Sequence, residues 1–232
     1  MKYLNASKLL PCPIKAVFLD FDGVLMDSEI LYQRFWKIAF EEFGYKAPKE
    51  VLLKLRSCDA SLGEEIMSSY FKKPFPYKEV RERRKELMNA YLSTHETPLK
   101  EGTLSFLKYL KNNAILAHIV SSSPKNTILS EVKRLHIEPY ITDVLSAKDV
   151  QRGKPYPDVY LKALEISHLK KDEVLVFEDS PNGIESAYQA GLKVVMVDDL
   201  DSANEETSKK IILEISNLEE IEKIGLFSSL KR

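Results

Sequence analysis

The chain changes its hydrophobic rhythm twice. Ile14 to Asp20 (IKAVFLD) is a short apolar run bounded by Pro13 and Gly23, which predicts a buried strand. From Glu29 to Phe43 the apolar residues Ile30, Leu31, Phe35, Trp36, Ile38, Ala39, Phe40 and Phe43 form a broad helical stripe, and Gly44 suits the position just past its end. Val51 to Leu55 is a further apolar stretch. Ser61 followed by Glu64 has the capping-box spacing, with Ile66, Met67, Tyr70 and Phe71 as the helix's apolar face. Pro74 and Pro76 break that helix, and another is expected from about Lys78 to Leu92. Residues 29–98 thus read as all-helical.

After Pro98 the rhythm becomes an alternation. Leu104 to Leu110 predicts a helix, Ile115 to Val120 a strand, Lys125 to Leu135 a helix and Asp143 to Ser146 a short strand. Asp158 to Glu165 reads as a helix, Val174 to Phe177 as a strand, Asn182 to Ala190 as a helix closed by Gly191, and Val194 to Val197 as a strand. Such alternation implies parallel strands covered by helices. The fold class is therefore α/β, a Rossmann-like parallel sheet core (residues 1–28 and 99–232) with an inserted all-helical domain at 29–98. In an open parallel sheet, ligands sit beyond the carboxyl ends of the strands. That directs attention to the loops after Leu19, Val120, Ser146 and Phe177.

Composition narrows the partners. Of 232 residues, 34 are Lys or Arg and 35 are Asp or Glu, so the net charge of −1 provides no global attraction to nucleic acid or to an anionic membrane, and any anion site must be local. Cys12 and Cys58 match no metal-ligand spacing and read as free thiols in a reducing compartment. Met1 to Pro13 holds no apolar run of signal-peptide length, and nothing approaches the roughly 20 apolar residues of a membrane span. A cytoplasmic location is the expectation.

Four segments carry candidate chemistry. Asp20 and Asp22 leave the first strand one residue apart, so their side chains point to the same side. Two carboxylates so placed repel, and one holds a proton unless a cation neutralises them. One can attack phosphorus while the other protonates the leaving oxygen and then deprotonates water; a turn capped by Asp is the structural alternative. Val120-Ser121-Ser122-Ser123 at a strand-to-helix turn can cradle an anion with hydroxyl and backbone N–H groups, or simply cap the helix from Lys125. Lys154, held between Gly153 and Pro155, can balance a phosphate and an aspartate. Phe177-Glu178-Asp179-Ser180 puts acids at a buried strand end, where hard oxygens suit Mg²⁺, or where Asp179 caps the next helix. Together, at successive strand ends, these define one site. His118 reads as a core histidine, and His95, His136 and His168 have no paired ligand pattern. Lys78 to Lys85 (KEVRERRK) reads as a solvated helix face. Trp36 reads as packing that could also line a substrate entrance.

The motifs DFDGVLMDS at Asp20–Ser28, VSSS at Val120–Ser123, GKPYPD at Gly153–Asp158 and FEDSPNG at Phe177–Gly183 resemble the haloacid dehalogenase superfamily of hydrolases. The insert resembles the small helical cap of the subgroup that includes β-phosphoglucomutase and sugar-phosphate phosphatases. The resemblance implies Asp20 as nucleophile and Asp22 as acid/base. Ser121, Ser122 and Lys154 would bind phosphate. Mg²⁺ would be held by Asp20, Asp179 and the Asp22 carbonyl, with Glu178 nearby. It also implies a small phosphorylated metabolite as substrate. β-Phosphoglucomutases carry a histidine where this chain has Tyr32, and a cap arginine where it has Cys58, with Arg56 as a nearby substitute and a possible substrate contact beside Tyr32. Those departures favour a phosphatase over a phosphosugar isomerase, with a non-catalytic phosphate-binding module as the third reading.

Overall fold

The computed structural model describes residues 10, 13–46, 48–55, 58, 60–95, 98–199 and 202–227. Its core is a sheet of six strands: β1 (Ala16–Leu19), β2 (Leu116–Ser121), β3 (Asp143–Ser146), β4 (Val174–Glu178), β5 (Lys193–Val197) and β6 (Leu213–Ile215). All pairings are parallel, in the order β3-β2-β1-β4-β5-β6. Strand β1 is central, with Leu19 in register with Ile119 on one side and Phe177 on the other.

The central strands read as unbroken apolar runs because both faces are covered. Period-two geometry sends Val17, Leu19, Leu175 and Phe177 into one apolar cluster, with Phe106, Leu107 and Leu110 of α5 (Thr103–Asn112) and Ile128 of α6 (Lys125–Arg134). Ala16, Phe18, Val174 and Val176 enter the opposite cluster. There they meet Val159 and Tyr160 of α7 (Asp158–Ser167) and Ile184 of α8 (Pro181–Gln189).

The segment between β1 and α5 is helical: α1 (Glu29–Glu42), α2 (Lys49–Leu53), α3 (Ala60–Phe71) and α4 (Tyr77–Leu92). It has its own apolar cluster, which includes Trp36, Phe40, Leu52, Met67, Phe75, Tyr77 and Val80. Phe75 stacks on Phe40 and Phe71 at centroid distances of 5.1 and 5.2 Å. Gly63 is where α3 meets Tyr77, since a Cβ there would lie 2.2 Å from the ring. The two chain passes joining this unit to the core run side by side. Met26 and Leu99 form an antiparallel bridge, Asp27 N donates to Pro98 O at 3.1 Å, and Lys100 N donates to Leu25 O at 2.9 Å.

Two expectations need correction. Helix α3 begins at Ala60, so Ser61 lies inside its first turn and is not its N-cap. Beyond the last strand read from the sequence, α9 (Glu205–Ser208), β6 and α10 (Glu220–Lys223) follow. Strand β6 is only Leu-Glu-Ile at the sheet edge, too short for a period to register. The run Lys78 to Lys85 is not wholly a solvated face, because Val80 and Arg84 are buried. Among the described residues, no helix is long and apolar enough to cross a membrane. Cys58 is a buried thiol outside any disulfide, whereas Cys12 and Arg56 lie outside the described residues.

Candidate active site

Asp20 follows β1 and is buried; its N–H donates to Phe177 O at 3.0 Å, tying the first residue beyond β1 to β4. Lys154 reaches it from the loop before α7. The Lys154 ammonium is fully buried and spends its three protons on Asp20 Oδ1 (2.8 Å), Val120 O (2.9 Å) and Glu178 Oε1 (2.6 Å). The ends of β1, β2 and β4 are thus stitched by one cation. Tyr160 Oη donates to the same Glu178 oxygen at 2.6 Å. Gly183 lets α8 start against that carboxylate, since a Cβ there would lie 2.0 Å from Glu178 Oε2.

Asp20, Glu178 and Asp179 each bring a carboxylate oxygen within 4.8 Å of the others, and all three are buried. Burial pushes the Asp20 carboxyl well above the usual range; Lys154 opposes this, while Glu178 and Asp179 add to it. Burial works against the Lys154 ammonium, but the Asp20 and Glu178 carboxylates outweigh it and hold that group above its ordinary value. Three buried carboxylates thus face one buried ammonium. The set of three buried carboxylate donors fits a hard dication such as Mg²⁺.

Asp22 points elsewhere. Ser28 Oγ donates to its Oδ1 at 2.7 Å and Ser123 Oγ to its Oδ2 at 2.8 Å. The capping alternatives fail on geometry. The residue preceding α6 is Pro124, without a side-chain cap, and Ser121 Oγ instead accepts from Ser123 N at 3.1 Å. Helix α8 is capped by Ser180, whose Oγ accepts from Gly183 N, so Asp179 does not cap it.

Above these groups lies a cavity of about 300 Å³ between sheet ends and helical unit. Asp20, Asp22, Ser121, Ser122 and Tyr32 all line it, together with Trp36, Gln33, Arg81 and Arg84. Cys58 lines it too, and Asn182 Nδ2 donates to its sulfur at 3.2 Å, a contact from core to helical unit. Lys154, Glu178 and Asp179 lie beneath the cavity. His118 is a core residue, edge-on to Phe18 at 5.5 Å, with its pKa lowered by burial.

Sequence reasoning missed Ser28 and Ser123 as holders of Asp22, Tyr160 as the partner of Glu178, and Arg84. Arg84 was detectable: Tyr77, Val80, Arg84 and Met88 recur at three- and four-residue steps, the buried stripe of α4.

A parallel sheet with acids and a lysine gathered at its carboxyl ends under a helical insert defines a class of phosphoryl-transfer hydrolase. The chain belongs to the haloacid dehalogenase-like hydrolases, whose family model matches residues 17–197. It is 30% identical over 185 residues to the phosphorylated carbohydrates phosphatase of Thermotoga maritima, covering 78% of this chain and 83% of that one. It is 28% identical over 181 residues to the validoxylamine A 7'-phosphate phosphatase of Streptomyces hygroscopicus, covering 77% and 83%. Among solved structures, a HAD hydrolase of Entamoeba histolytica shares the fold with a TM-score of 0.76 at 24% identity, covering 94% of this chain and 100% of that one. The relatives named are phosphatases, and the chain is placed with the phosphoric monoester hydrolases of its family.

Proposed function

We propose that the chain hydrolyses phosphate monoesters of small metabolites, sugar or polyol phosphates, through an aspartyl phosphate on Asp20. The observation that carries this reading is the buried Asp20, pinned by Lys154 and opening with Asp22 and Ser121 on one cavity. An Asp20 carboxylate oxygen attacks phosphorus and the ester P–O bond breaks. Asp22 gives its proton to the departing oxygen, then takes one from the water that attacks the acyl phosphate, which regenerates the Asp20 carboxylate and frees phosphate. Ser121 and Ser122 hold phosphoryl oxygens, and Lys154 balances charge on nucleophile and phosphate. Asp20, Asp179 and the Asp22 backbone carbonyl would hold Mg²⁺, with Glu178 beside them; when bound, the ion neutralises the carboxylates and the developing phosphoryl charge. Residues 29–98 act as a cap that closes over the core, 1–28 and 99–232, and excludes bulk water. Tyr32, facing the cavity where a mutase has its histidine, supports water as the final acceptor.

The test is phosphate release across a panel of sugar and polyol phosphates, with Mg²⁺ and with chelator. Mg²⁺-dependent release from members of the panel is the expected result. No turnover on any member, or an isomerised sugar phosphate as main product without free phosphate, overturns the reading.

A further inference from the structure

Arg84 is a charged side chain with only 7% of its surface exposed. Its guanidinium lies over the rings of Tyr32 and Trp36, at 4.8 and 5.3 Å from their centroids, and Nη1 donates only to the thioether of Met88 at 3.5 Å. Nε is buried without a hydrogen-bond partner. Among the described residues, no carboxylate pairs with it. Ring faces attract a cation but do not neutralise it, and Glu82, whose carboxyl feels the Arg84 charge, is engaged by Lys85, so among the described residues the desolvated guanidinium has no ion-pair partner.

Its surroundings are lopsided. Arg81, Arg84 and Lys85 all line the helical wall of the cavity, whereas the cavity's carboxylates, Asp20 and Asp22, are both on the sheet side, which contributes one lining cation, Lys148. Lys85 is already paired with Glu82 at 2.5 Å. Beside Arg84 in the same wall, the buried Gln33 Oε1 also lacks a partner. A neutral hydroxyl would satisfy Nε but leave the charge. An oxyanion satisfies both, and a neighbouring hydroxyl on the same ligand would satisfy Gln33.

We infer that Arg84 is a specificity-determining residue: the leaving-group portion of the substrate carries a second oxyanion, a carboxylate or another phosphate, on a hydroxylated chain, and Arg84 binds it. This rests on the phosphatase reading and narrows its substrate class. Binding energy at such a remote charge is used in the reaction and discriminates against substrates that lack it.

Two measurements test it. In the first, kcat/KM is compared for 6-phosphogluconate, glucose 1,6-bisphosphate and glucitol 6-phosphate, which has its phosphate as the only anionic group, in wild type and Arg84→Gln. Wild type should favour at least one substrate with two anionic groups by about tenfold or more, and Arg84→Gln should collapse that ratio. The two compounds with a second anionic group separate carboxylate from phosphate recognition. Equal use of all three by wild type, or an equal loss on all three in the variant, overturns the inference while leaving the phosphatase reading intact. The second needs no turnover: gluconate, 2-phosphoglycerate and glucitol are titrated calorimetrically into wild type and Arg84→Gln, each checked for an unchanged folded circular dichroism spectrum. Binding of an acid but not the polyol, lost in the variant, supports the assignment even if the panel is inactive. No acid binding, or acid binding unaffected by the variant, overturns it.

Discussion

At the scale of residues, the candidate site is an electrostatic arrangement built around Lys154. Removing that ammonium leaves Asp20 and Glu178 buried without their ion-pair partner among the described residues, and breaking a buried pair in this way costs about 3–5 kcal/mol. Lys154→Met should therefore lower stability by that order in urea unfolding and abolish turnover; a variant as stable as wild type would contradict the arrangement. Asp20→Asn acts in the opposite direction. It removes one of three crowded carboxylates whose ionisation burial already disfavours, so in chelator it should unfold at a higher temperature than wild type while losing turnover by about three orders of magnitude or more. Asp20, Asp22, Ser121 and Asp179 were legible as polar residues just beyond apolar runs, and Lys154 from its place between Gly153 and Pro155 in the loop before a helix. Tyr160 and Ser28 were not, because a tyrosine in an apolar helix and a serine before a helix are ordinary. Their roles come only from which carboxylate the fold brings opposite them.

At the scale of elements, the crossing between core and helical unit is held by Lys100. Its ammonium donates to Gly23 O (2.6 Å), Asp198 O (2.8 Å) and Asp199 Oδ1 (2.9 Å), fastening the turn after β1 to the end of β5. The Asp198 carboxyl beside it is raised to about 6, by burial first and then by the Glu214 carboxylate. A folded value above the unfolded one, ~3.9, means that the protonated form stabilises the fold. That contribution is whole below about pH 4 and is lost as pH rises through 6. Asp198→Asn should therefore raise the thermal midpoint at pH 7.5, with the gain shrinking toward pH 4; a pH-independent difference would contradict the linkage. The long amphipathic helices and the apolar strands were legible from period alone. Strand β6, three residues with Glu214 in the middle that pair on β5 at the sheet edge, and α9, a single turn capped by Asn204 that packs on α8, are too short to leave a periodic trace.

At the scale of the molecule, two packed bodies with separate apolar cores enclose the cavity between them, and charge is distributed unevenly across it, both lining carboxylates on the sheet side with Lys148, and three cations with no lining carboxylate on the helical wall. The bare charge count of −1 hides this polarity, since it appears only when α4 is folded against α1. A dication that binds the native acids and not the unfolded chain should raise the thermal midpoint, by the equivalent of about 2.7 kcal/mol at a hundredfold excess over Kd. Asp179→Asn should lose that gain while folding normally in chelator; a midpoint rise unchanged by the variant would place the ion elsewhere. The central claim is that Asp20 becomes covalently phosphorylated. The most direct measurement is acid quenching of the enzyme during turnover of a phosphate ester it hydrolyses, followed by peptide mass spectrometry. One phosphoryl group on the peptide carrying Asp20, absent in Asp20→Asn, is the predicted result; turnover with the label on another residue, or with no trapped label under burst conditions, would contradict it.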